Sequence, residues 1–98
     1  RIFDDGDGVM NKSVIDVNGE IQVVSQFTLF ALTKKGNRPS YINAAKGDFA
    51  KKMYNSFIKE LQKYLNKNIK TGKFGYDMSV EFENVGPVTI IIDSKNKI

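Results

Sequence analysis

Between Asp48 and Leu65 apolar side chains recur at helical spacing: Phe49, Met53, Phe57, Leu61 and Leu65 step by four, and Tyr54, Ile58 and Tyr64 widen the stripe. A stripe of that width buries one face of a long helix against a neighbouring layer. Lys51, Lys52, Lys59, Lys63 and Lys67 fall mostly on the outward side. Asp48 is placed to cap the start, and Gly72 lies beyond the end. The Phe and Met residues of the stripe are expected to be core. One amphipathic helix must therefore pack on whatever the flanking segments build.

Those flanks read as strands. "SVIDV" (13–17) is a short one, and "NGE" (18–20) carries the Asn-Gly signal of a tight hairpin turn into a second strand from about Ile21 to Leu32. Beyond the helix, Met78, Val80 and Phe82 alternate with Ser79, Glu81 and Glu83, a strand with one wet face. "NVGP" turns the chain, and "VTIII" (88–92) returns antiparallel. The expected fold is α+β: a mostly antiparallel, barrel-like sheet core with one long amphipathic helix packed on it. Residues 1–98 read as a single domain, with no repeat or linker.

The second strand contains an anomaly. Its odd positions are Ile21, Val23, Ser25, Phe27, Leu29 and Ala31, an apolar face broken only by Ser25. The even positions place Gln26 beside Thr28 on the opposite, mixed face. A surface strand would alternate more cleanly, and a core strand would lack Gln26. A strand that lines a pocket fits both facts.

Composition closes many chemical routes. There is no His and no Cys, so disulfides, thiolate chemistry and the common zinc ligand sets are excluded. The acidic turn "DDGDGVMN" (4–11) fails the EF-hand spacing, because Val9 and Met10 fall where a ligand and the Gly are needed. No metal or cofactor is expected. Nucleophile candidates are hydroxyls, and bases are carboxylates or lysines. No apolar run approaches a membrane span, which makes a cytoplasmic protein the expectation. Residues 34–73 hold eleven basic side chains and two acidic ones, a local balance of +9. A polyanionic partner such as RNA and a merely solvated Lys-rich helix face both account for that stretch.

Chemistry can also come from the main chain. "GPVT" (86–89) offers a Gly-Pro bond, and X-Pro bonds are cis in roughly one case in twenty, so an ordinary trans turn is the statistical expectation. Backbone N–H groups stabilise oxyanions and backbone carbonyls grip amines without any reactive side chain.

"VVSQFTLF" (23–30) followed by "NVGPVT" (84–89) resembles the D-aminoacyl-tRNA deacylases, chiral proofreading enzymes of translation. "RIFDDGDGVMNKSVIDVNGE" (1–20), "KKGNRPSYINAA" (34–45) and "TGKFGYDM" (71–78) match the family's other segments in order, so the resemblance covers essentially the whole chain. It implies hydrolysis of the ester of D-aminoacyl-tRNA, with glycine mischarged on an alanine tRNA as a further acyl group. It implies a homodimer whose active site lies at the interface and takes the acceptor end of the tRNA. Ser25, Gln26, Phe27 and Thr28 would form the catalytic side, with the main-chain N–H near Phe27 polarising the ester carbonyl. Gly86, Pro87, Val88 and Thr89 would bind the substrate from the other subunit. The carbonyls of Gly86 and Pro87 would take the α-amino group and an L-substrate would clash. Phe74, Gly75 and Met78 would hold the terminal adenosine, and Lys34, Lys35 and Arg38 are candidates for phosphate contact. Both Thr28 and the tRNA 2′-hydroxyl are candidates to drive the reaction. The 2′-hydroxyl is favoured because no His is present to activate Thr28.

The chain departs from the family pattern at Val85, where an Asp is usual, and in "FGYDM", where Tyr76 adds bulk to the usual FGADM. Family members carry further strands before "RIF", so the chain is expected to correspond to the C-terminal two-thirds of the family domain. Ser25 argues against relatives that deacylate mischarged L-amino acids. A non-catalytic RNA-binding module and an inactive dimerising fragment are the alternatives.

Overall fold

The computed structural model describes residues 1–98. Its regular elements are β1 (Phe3–Asp4), β2 (Met10–Lys12), β3 (Gln22–Val23), a 3₁₀ turn (Phe27–Leu29), helix α1 (Gly47–Leu65) and β4 (Lys70–Thr71). The class is α+β. The sheet, however, is neither barrel-like nor mostly antiparallel: β1 pairs β2 antiparallel, β3 pairs β4 parallel, and each sheet has two strands. The chain divides into two compact units, one formed by Arg1–Val17 with Ser79–Ile98 and the other by Asn18–Met78.

In the first unit the acidic segment closes a short hairpin. Asp5 N–H donates to the Val9 carbonyl at 2.8 Å, and Asp5 Oδ1 accepts from the N–H groups of Asp7 at 2.8 Å and Val9 at 3.1 Å. Asn11 Nδ2 reaches Asp5 Oδ2 at 3.4 Å. One carboxylate thus organises the whole turn, and these bonds hold it below its ordinary pKa, the Val9 N–H contributing most. The expected strand at 13–17 is a helical turn instead. Ser13 N–H donates to Asp16 Oδ2 at 2.8 Å, and Asp16 N–H donates back to Ser13 Oγ at 3.1 Å. This reciprocal Ser-x-x-Asp box satisfies backbone donors locally, which competes with strand pairing. No Asn-Gly hairpin forms either. Asn18, where the second unit starts, adopts φ 51°, and Lys67 Nζ of that unit holds it through Asn18 Oδ1 at 2.9 Å and the Gly19 carbonyl at 3.0 Å. The strands expected at 78–83 and 88–92 have no ladder partner and are irregular; Val85, Ile91 and Ile92 are exposed.

In the second unit, α1 begins two residues earlier than a cap at Asp48 would place it. Lys46 is the N-cap, so Asp48 lies in the first turn, where its charge still complements the helix dipole. The helix ends at Asn66, which takes φ 52° in the left-handed region, and its N–H bonds the Gln62 carbonyl at 2.9 Å. The inward face is Ala50, Tyr54, Ile58, Leu61 and Leu65, all half-buried. Phe49, Met53 and Phe57, expected as core, are more than half exposed, as is Tyr64. The apolar stripe is wider than the surface this chain lays against it, and its second edge is uncovered. Ala44 and Ile69 are the buried hydrophobic residues.

Candidate functional site

The expected strand from Ile21 to Leu32 survives only at its start, and the reason lies in its partner. Lys70 N–H donates to the Ile21 carbonyl at 3.1 Å, and Gly72 N–H to the Val23 carbonyl at 3.4 Å. The partner then bends away at Lys73–Tyr76, where Tyr76 N–H bonds the Lys73 carbonyl at 3.2 Å. Residues 24–26 lose their ladder at that point. Gln26 remains extended (φ −150°, ψ 95°), and the chain coils into the Phe27–Leu29 turn, closed by Phe30 N–H on the Phe27 carbonyl at 3.0 Å. The polar residues of "VVSQFTLF" therefore mark where a strand stops pairing.

Side-chain positions follow from that coil. Ser25 and Thr28 are half-buried, while Gln26 and Phe27 are exposed. Gln26 Nε2 donates to Thr28 Oγ1 at 2.5 Å. An amide donor occupies a hydroxyl lone pair but cannot take its proton, so this bond orients Thr28 without activating it. Phe27 meets Tyr41 edge-to-face, with ring centroids 5.1 Å apart.

A second cluster sits where β4 leaves the ladder. Phe74 is half-buried against Tyr54 of α1, centroids 5.4 Å apart and planes tilted 40°. Tyr54 Oη donates to the Val23 carbonyl at 3.0 Å. Gly75 turns at φ 79°, and Lys73 Nζ stands 4.2 Å over the Tyr76 ring. Tyr54, Lys73, Phe74 and Tyr76, with Lys51 and Gln62, line an open groove of about 490 Å³. Met78 folds back so that a side chain at Gly72 would fall on its sulfur. Phe74, Gly75 and Met78 are thus tied by β3–β4 to the Ser25–Thr28 segment. The sequence pattern marks Tyr54 only as part of the helical stripe, and it gives Tyr41 no role. The available signal was a tyrosine inside an apolar helical stripe, which needs a partner for its hydroxyl.

The basic loop is a closed loop. Leu32 and Ser40 exchange both backbone bonds, at 2.8 and 3.0 Å, and Gly36 turns at φ 71° between them. Lys34, Lys35 and Arg38 are exposed on it. The salt bridges of the chain are Lys63–Glu60 at 2.9 Å and Lys70–Glu20 at 3.5 Å, so none of the three loop cations is neutralised by a carboxylate.

Gly86, Pro87, Val88 and Thr89 belong to the first unit. The Gly86–Pro87 peptide bond is cis, and Gly86 has φ 115°. A Cβ there would lie 3.4 Å from the Val88 nitrogen. That spacing is ordinary contact, and it is the positive φ that selects glycine.

The family model for D-Tyr-tRNA(Tyr) deacylase matches residues 1–93, a span that contains every candidate residue above. The chain is 63% identical over 97 residues to the D-aminoacyl-tRNA deacylase of Parabacteroides distasonis. It is 64% identical over 97 residues to the D-aminoacyl-tRNA deacylase of Flavobacterium psychrophilum. In both comparisons 99% of this chain is covered, and it spans 65% of the relative's length. The chain belongs to the D-Tyr-tRNA(Tyr) deacylase family.

Proposed function

We propose that this chain forms the catalytic part of an enzyme that hydrolyses the ester of D-aminoacyl-tRNA, releasing the D-amino acid and the tRNA. The observation that carries this reading is family membership across residues 1–93, with relatives above 60% identity that bear the name D-aminoacyl-tRNA deacylase. The local chemistry supports it. Ser25, Gln26, Phe27 and Thr28 form the catalytic side. The first N–H groups of a helical turn have no acceptor within it, which suits the Phe27 N–H to a developing oxyanion. Thr28 is oriented by an amide that is no base, so water activated by the 2′-hydroxyl of the terminal ribose is the better nucleophile.

Phe74, Gly75 and Met78 receive the terminal adenosine, where a base stacks on an aromatic ring. Lys34, Lys35 and Arg38 take backbone phosphates. Gly86, Pro87, Val88 and Thr89 act on the α-amino group from a second copy, which makes the working form a homodimer with a barrel-like core in each full-length subunit. Glycine mischarged on an alanine tRNA is a second substrate, and the cytoplasm, where tRNA is charged, is the site of action. No helix of the structure is long and apolar enough to cross a membrane.

The test is ester loss from D-Tyr-tRNA and L-Tyr-tRNA with the full-length protein. Rapid hydrolysis of the D-ester alone is expected. Equal rates, or binding without hydrolysis, would overturn the reading, the latter in favour of a non-catalytic RNA-binding module.

A further inference from the structure

Tyr54 is the side chain of α1 that touches both halves of the second unit's site. Its hydroxyl donates to the Val23 carbonyl at 3.0 Å, and its ring packs on Phe74 with centroids 5.4 Å apart. Val23 is the last residue of β3, two positions before Ser25, and Phe74 follows β4 by three positions. The Val23 carbonyl already accepts the last ladder bond, from Gly72 N–H at 3.4 Å. That bond is long, and beyond it the two strands separate. The ladder alone therefore holds the Ser25–Thr28 segment to the Phe74 turn by its weakest link. Tyr54 adds a second donor to the same carbonyl and carries the Phe74 ring on the same rigid side chain, anchored in the second turn of a 19-residue helix.

We propose that Tyr54 is a positioning residue that sets the spacing between the catalytic turn and the aromatic turn, acting on the first through its hydroxyl and on the second through its ring. This inference rests on the proposed deacylase activity. The two attachments make it separable by kinetics. Tyr54→Phe removes the bond to Val23 and keeps the ring against Phe74. It should lower kcat by about 5- to 10-fold, the worth of one part-buried hydrogen bond, with KM within about twofold of the parent. Tyr54→Leu removes both attachments, and it should lower kcat similarly and also raise KM by about fivefold as Phe74 loses its support. Tyr64→Phe, on the exposed side of the same helix, is the control and should leave both constants unchanged.

The experiment measures kcat and KM for D-Tyr-tRNA with full-length protein, with the folded fraction of each variant determined at the assay temperature. A hydroxyl-dependent kcat and a ring-dependent KM support the proposal. If Tyr54→Phe matches the parent, or if both variants lose kcat only in proportion to unfolded protein with KM unchanged, the proposal falls while the deacylase reading stands. A parent protein that cleaves no D-Tyr-tRNA removes the deacylase reading and takes this inference with it.

Discussion

Gln26 Nε2 donates to Thr28 Oγ1 across the start of the Phe27–Leu29 turn. The direction of that bond decides what Thr28 can be. A hydroxyl that accepts from an amide gains no base from that bond, and a threonine with its proton is a poor nucleophile at neutral pH. The same bond joins an extended residue to a coiled one, so its mechanical effect is to fix the corner at which the strand becomes a turn.

Thr28→Ala is accordingly expected to leave substantial activity. Loss of an orienting hydrogen bond costs on the order of 1 kcal/mol, or about fivefold in kcat. Removal of a true covalent nucleophile costs about 10⁶-fold in a well-studied serine hydrolase. Single-turnover rates on D-Tyr-tRNA separate these outcomes easily. A drop beyond about a thousandfold would return Thr28 to the role of nucleophile and exclude attack by water alone.

In the first unit the relevant variable is pH. Asp5 is held below its ordinary value of 3.8, mainly by the Val9 N–H and next by the Asp7 N–H. Asp16 is held below the same value, first by the Ser13 N–H, with Arg1 and Lys12 adding attraction. A carboxyl whose folded pKa is depressed contributes stability above its unfolded value, and that contribution is lost as pH falls through the folded one. The hairpin and the Ser13 turn should therefore stay formed at pH 4 and loosen only at more acidic pH. Amide NMR shifts of Val9 and Ser13 report this directly, and each should titrate with a midpoint below 3.8. A midpoint at or above that value would show that these bonds do not favour the ionised form.

What could be read from the chain beforehand was whatever depends on neighbours in sequence. The helix is one example, since its period is local and only its cap shifted, from Asp48 to Lys46. The break in alternation at Ser25 is another, because the clash of polar residues with strand alternation is visible in eight letters, although it marks the end of the strand and not the strand-lined pocket that the alternation suggested. Strand extent was not legible. It depends on how far a partner runs alongside, and β4 leaves β3 after Gly72. The turn at 13–17 has a local signal that competes with its strand pattern: Ser13 and Asp16 have capping-box spacing, and that hydrogen bonding outweighs β-branched propensity at Val14, Ile15 and Val17. The inward face of α1 is not legible to within one stripe, because Phe49, Met53 and Phe57 are as apolar as the residues that face inward. The Tyr54 contacts span 31 positions to Val23 and 20 to Phe74, beyond the reach of any local pattern.

The basic loop gives the last prediction, and it separates RNA contact from a solvated charged surface. Lys34, Lys35 and Arg38 stand on a loop closed by the Leu32–Ser40 bridge, and none has a carboxylate partner. Cations in that state are free to displace counterions from a phosphate backbone. Each phosphate neutralised on a single strand contributes about 0.7 to the slope of log K against log salt. Replacing all three residues by Ala should therefore reduce the magnitude of that slope by about 2 for tRNA binding by the full-length protein. Affinity should fall at low salt and converge with the parent at high salt, while the exposed loop leaves thermal stability nearly unchanged. Fluorescence anisotropy over a salt series measures both quantities. An unchanged slope would mean that these cations face only water, and the phosphate contacts would then have to come from the lysines of α1.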